Sequence, residues 1–196
     1  LDAYISAFGP AQLGNLWATW LEWFGQLVNA RTTLAGDLYL RSSRWDRSWV
    51  IAAGAVLDAA SLVSSSVDLS TDPAADRLVA FGSHVLNDIV ARLHLRCPAT
   101  PTWPDTPINV TQDEFNAAYD HLQSSGLPMK SDKDAAWNAF AQYRVQYECA
   151  LMTLIRLKRI PKGARWTTDR PEADRPLPLP IFAPRAASDN SPSSRT

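Results

Sequence analysis

The chain has 196 residues, 46% of them hydrophobic and 20% charged, with a formal net charge of -1. That is enough for one good core, or one core plus a tail, and the composition suits a globular protein. A charge near zero supplies no global field for a nucleic-acid partner, so none is expected.

Two cysteines, Cys97 and Cys149, are too few for a disulfide framework, and a reducing compartment is the simpler expectation. The sequence starts at Leu1 without Met, a basic leader or a small-residue cleavage site, so a fragment of a longer chain is expected.

Residues 1–10 read as a linker or the end of a preceding helix, closed by Gly9-Pro10. From Ala11 to about Leu40, Leu13, Trp17, Trp20, Phe24, Leu27 and Val28 recur at three- and four-residue steps, which is helix periodicity. Leu16 and Trp23 widen the apolar arc. Trp17, Trp20 and Trp23 suggest either ligand stacking or rings filling a helix seam, and the seam is preferred because aromatic rings dominate core burial. Thr32, Thr33 and Gly36 predict a break, and Arg41 to Trp45 a polar hinge, with Ser43 or Asp46 placed to cap the next helix.

Arg44 to Val67 is the least polar long segment, with one carboxylate, Asp58, near its middle. A membrane span needs about 20 mainly apolar residues. A carboxylate at the bilayer centre costs roughly 2.5–3.5 kcal/mol, and the Ala and Ser around Asp58 offset little of it. The segment therefore reads as a buried helix at the centre of the fold. Asp58 is then either a titrating or ligand-contacting acid, or a structural one held by an Arg, a Trp N–H or backbone donors; the second is preferred.

Asp72-Pro73 predicts a helix start, followed by Leu78, Phe81, Val85, Leu86, Ile89 and Leu93 on one face. His84 and Asp88 sit one turn apart and are placed to pair, but with His94 and Cys97 they make no metal-ligand pattern. Cys97 to Val110 holds four prolines and predicts an extended loop pinned by Trp103. Asn109-Val110-Thr111 matches a glycosylation sequon, discounted without a secretion signal. Thr111 and Glu114 form a capping box for a short helix ended by Gly126 and Pro128.

Ser131 or Asp132 caps the last helix, whose apolar side carries Trp137, Phe140, Tyr143, Tyr147, Leu151, Leu154 and Ile155, and which Pro161 stops. Arg156, Lys158, Arg159, Lys162 and Arg165 read as a solvated helix end or, second, as a basic patch facing acidic lipid. Residues 167–196 are rich in Pro, Asp, Arg and Ser and read as a disordered tail.

The fold class expected is all-α: about five helices in an irregular bundle over residues 11–166, around the central apolar helix. No nucleophile elbow, phosphate loop, zinc pattern or dinucleotide fingerprint occurs, so no catalytic residue, cofactor or metal site is assigned. A helical pocket or enzyme built near Asp58 is the weakest alternative, and a roomy polar cavity beside that residue would mark it.

Tryptophans on a first helix lead to Tyr39-Leu40-Arg41-Ser42, then to Ser48-Trp49 and an Ala-rich helix with Leu57-Asp58-Ala59 and Leu62. This resembles the cytosolic helical region that follows the pore in bacterial two-transmembrane, pore-loop channels of the potassium-channel type. Ala136 to Trp166 is similar to that region's end, with a Tyr-rich helix and a Pro-Lys-Gly-Ala-Arg-Trp exit. The resemblance implies a non-catalytic accessory or assembly domain at the cytoplasmic face of a cell membrane. Its partner would be the pore domain of the same polypeptide, with homo-oligomers formed through the pore. Asp58, Trp17, Trp20, Trp23, Trp49, Arg41 and Ser48 are then the structural or interaction candidates. A free-standing helical protein-interaction domain is the alternative.

Overall fold

The computed structural model describes residues 12–29, 48–68 and 73–157. Five α-helices occupy them: α1 Leu13–Asn29, α2 Trp49–Ser66, α3 Pro73–Arg92, α4 Gln112–Ser124 and α5 Lys133–Leu157. The expected extension of the first helix to Leu40, the hinge with Arg41, the caps at Ser43, Asp46 and Asp72, and the tail all lie outside the described residues.

The fold is all-α around the apolar helix, as its composition dictates. Nearly every position of α2 is apolar or small, so it can be enclosed on several sides. It packs on α3 and α5, α3 also carries α1 and touches α5, and α4 lies against α5. Among the described residues α2 is the one helix long and apolar enough to cross a membrane, and 67% of that stretch is buried within the domain. The main core joins α1, α2, α3 and the second half of α5. A smaller one gathers α4, Val110 and Leu127 around Trp137, Phe140 and Leu62.

Glycine decides how closely the helices approach at one junction. A Cβ on Gly82 of α3 would lie 2.6 Å from Leu57 Cδ2 and 3.0 Å from the Phe24 ring, so α1, α2 and α3 meet there. Both neighbours are fully buried and have nowhere to retreat. Gly82→Ala should therefore destabilise by about 1–3 kcal/mol, overpacking outweighing the gain in helix propensity. Gly14→Ala on α1, where a new methyl meets nothing within 4 Å, should stabilise by up to about 1 kcal/mol. Urea unfolding of the two variants should thus give shifts of opposite sign.

The helix ends follow local chemistry. Thr111 and Glu114 form the expected capping box, and Asp132 caps α5 by accepting the Ala135 N–H at 2.8 Å. Gly126, at φ 84°, closes α4: its N–H reaches the Gln123 carbonyl, and the Leu127 N–H that of Leu122. That is a Schellman motif with buried Leu122 and Leu127 as its apolar pair. His94, at φ 54°, ends α3 the same way, with Leu95 N–H on the Val90 carbonyl. The C-terminal end of α2 is held from outside. Residues 128–130 pair with 66–68 through a single bridge, Val67 to Met129, and Lys130 Nζ donates to the carbonyls of Ser64 and Ser65.

Two expectations are corrected. The capping position of α2 is Ser48 rather than Ser43 or Asp46, and among the described residues its side chain makes no cap hydrogen bond. Asp88 pairs with Arg92, Nε to Oδ2 at 2.6 Å, rather than with His84, because guanidinium one turn toward the C-terminus offers the carboxylate a permanent charge.

Candidate functional site

The polar centre of the molecule lies between α2 and α5. Asp58 is 2% exposed, so its carboxylate needs partners inside the protein. Arg144 and Tyr147 of α5 supply them, Arg144 Nη1 and the Tyr147 hydroxyl (2.8 Å) both donating to Oδ1. Tyr147 in turn accepts from Ser61 at 3.1 Å, one turn beyond Asp58 on α2. Arg144 Nε donates to Glu148 Oε2 at 2.6 Å, a second buried ion pair within α5. Glu148 Oε1 takes the backbone N–H of Asn109 at 3.2 Å and its side-chain amide at 2.5 Å. One cation, two carboxyls, a phenol, a serine and the end of the proline-rich loop thus form one connected network.

Burial sets the electrostatics. Loss of solvent raises the Asp58 carboxyl above its ordinary value of 3.8, against the charge and hydrogen bond of Arg144 and the bond from Tyr147. Glu148 pushes the same way, more weakly, because a second negative charge nearby disfavours the ionised form. On Arg144 desolvation works to lower the pKa, but Asp58, Tyr147 and Glu148 outweigh it, so the guanidinium is held more firmly charged than usual. Burial also pushes the Tyr147 phenol well up. At the edge of the bundle Tyr143 donates to Asp76 Oδ1 at 2.9 Å, and burial followed by that carboxylate raises it to about 12.

A raised folded-state pKa means that the folded chain binds the Asp58 proton more tightly than the unfolded chain does. The contribution of Asp58 is therefore largest below its unfolded value and is lost as pH rises through the folded one. Asp58→Asn cannot ionise. The stability of the wild type relative to this variant should fall as pH rises from about 4 and then level off. Urea midpoints of both proteins across that range check it, and a wild type that gains on the variant with rising pH contradicts it.

The remaining candidates are aromatic. Trp17 is fully buried, while Trp20 and Trp23 are half-buried and meet edge to face at 5.1 Å. Trp23 touches Phe24 at 5.1 Å and Trp49 at 6.3 Å, so these rings join α1 to the start of α2. The larger seam of α1 is with α3 instead, since Phe24 reaches Gly82. Among the described residues the buried indole N–H groups of Trp17 and Trp49 have no partner, and it is an arginine, Arg144, that holds Asp58. Ser48 is buried next to Trp49, and among the described residues its hydroxyl has no partner. In the basic patch Arg156 is exposed on the last turn of α5. Lys158, Arg159, Lys162 and Arg165, like Arg41, lie outside the described residues.

The cavity lined by Asp58, Arg144, Asn109, Gly54 and Leu151 has a volume of about 20 Å³, room for one water molecule. A roomier hollow of about 310 Å³ lies elsewhere, between the end of α1 and α3, lined by Val28, Asn29, Phe81, His84, Asp88 and Arg92. Among the described residues no group of three or more His, Cys, Asp or Glu side chains is arranged to hold a metal ion.

Cys97 and Cys149 form a disulfide with a Cα–Cα distance of 5.7 Å. The pairing departs from the reading of two cysteines as too few to build a disulfide framework. The cysteines are 52 residues apart, and only the docking of the proline-rich loop on α5 brings them together. Trp103 helps to fix that loop, its Nε1 donating to Asn138 Oδ1 at 3.2 Å and its ring meeting Trp137 edge-on.

No family model, curated protein or solved structure matches the chain.

Proposed function

We propose that the chain is a non-catalytic helical assembly domain, carried at the cytoplasmic face beneath a membrane pore of the two-transmembrane, pore-loop kind. One observation carries the reading. The two separate stretches in which the sequence resembles that region are joined in a single buried network, Asp58 of the first against Arg144 and Tyr147 of the second. The Leu57-Asp58-Ala59 motif and the Tyr-rich helix then exist for each other, and their polar atoms are occupied in holding α2 to α5. A cavity of about 20 Å³ beside Asp58 supports a structural role over a catalytic one. The partner is the pore domain of the same polypeptide, which repeats the domain around the pore axis.

The test is the reading frame upstream of Leu1. It should encode two spans of about 20 apolar residues, separated by a short loop with a threonine- and glycine-rich filter whose carbonyls replace an ion's hydration shell. An upstream region without a hydrophobic span overturns the proposal. The second reading is a helical protein-interaction domain with no pore, and the Cys97–Cys149 disulfide favours it, since such bonds persist mainly in oxidising compartments.

A further inference from the structure

We propose that Cys97 and Cys149 are a reversible dithiol–disulfide site, opened by a dithiol reductant and coupled to the buried network through the loop between Cys97 and Asn109. The coupling is geometric. Glu148 and Cys149 are consecutive on α5, and the loop is fastened to both: Asn109 to the Glu148 carboxylate, Cys97 to the Cys149 sulfur. The loop is thus closed on one turn of a helix whose neighbouring turn holds Arg144 against Asp58.

Neither half-cystine is fully buried, and Arg96 and Pro98 on either side of Cys97 are exposed, so the bond lies near the surface where a reductant acts. Thr153 lies to one side of the bond, its Oγ1 3.9 Å from Cys97 Sγ and 4.0 Å from Cys149 Sγ. Disulfide sulfurs carry no proton, so the threonine hydroxyl is the donor, its single proton turning toward one sulfur at a time. It is placed to stabilise whichever sulfur departs as thiolate, the leaving group whose stability helps set the exchange rate. The thiolate of the reductant attacks one sulfur and forms a mixed disulfide, and the other protein sulfur leaves and takes up a proton. The second thiol of the reductant then displaces the first protein sulfur, which is protonated in turn. Two electrons and two protons have passed to the protein, and the reductant is left as its own disulfide.

Reduction frees the loop at Cys97 while Asn109 and Trp103 still hold it farther along, so the helices stay assembled and the loop gains freedom at one end. The proposal rests on these contacts alone and needs no pore.

The purified chain is equilibrated with dithiothreitol at graded oxidised-to-reduced ratios, trapped by alkylation and weighed, with far-UV circular dichroism on the same samples. The expected result is one reversible two-electron transition, a helical signal retained in both states, and a lower urea midpoint for the reduced chain. Thr153→Val should slow reduction several-fold with the midpoint of the oxidised protein unchanged, and Thr153→Ser should restore the rate. Loss of helical signal on reduction, or a bond that dithiothreitol does not open in the folded protein, overturns the proposal. Equal reduction rates for the wild type and both Thr153 variants overturn the role of the hydroxyl.

Discussion

Arg144→Ala should be among the most damaging single substitutions in the domain, lowering stability by about 3–5 kcal/mol. The loss comes less from the missing attraction than from what remains. Asp58 and Glu148 would face each other with no cation between them, in a region where neither reaches water. Part of the damage is avoided because Asp58 can take up a proton, and the loss should therefore be smaller in acid than at neutral pH. A chain carrying Asp58→Leu, Arg144→Met and Glu148→Gln together should lose less than Arg144→Ala alone, since uncharged groups of similar volume leave no buried charge without a partner. Chemical unfolding of the two variants decides the matter, and a triple variant less stable than the single one contradicts it.

Cys149→Ser should have an effect of similar size. The bond closes a loop of 52 residues in sequence separation, and the restriction it places on the unfolded chain is worth about 4 kcal/mol on the loop-entropy account. If the cross-link is the source, Cys97→Ser, Cys149→Ser and the double variant should all lose nearly the same amount. Packing losses would instead differ between the half-buried sites and accumulate in the double variant. Urea midpoints of the three variants separate these outcomes.

How far the sequence reveals all this depends on the range of the interaction. Thr111 with Glu114, Pro73 at a helix start and Gly126 after a helix end act over a few residues, and each was legible and stands where expected. The Ala-rich run around Asp58 has too few polar atoms to face water, so its central burial was legible from composition. Asp58 also announced that it needed a partner. Its identity was not legible, because Arg144 and Glu148 stand four residues apart on a helix, a spacing that is just as common for pairs on a solvated face. Only the crossing of α2 and α5, with Leu151 closing on Gly54, turns that pair inward. The disulfide was hidden for the same reason, since its two cysteines sit on elements whose docking no local pattern records.

The contact between α2 and α5 also sets an order of events during synthesis. Ser66 ends α2 and Lys133 begins α5. At about 5–20 residues per second, a ribosome needs roughly 3–13 seconds to make the intervening chain. Throughout that wait α3 can cover one face of α2, but Asp58 has no guanidinium and the face destined for Leu151 stays uncovered. The bundle therefore cannot be complete until its last helix has emerged. The α2–α5 contact forms last, and until then the nascent chain must keep its most apolar helix out of trouble.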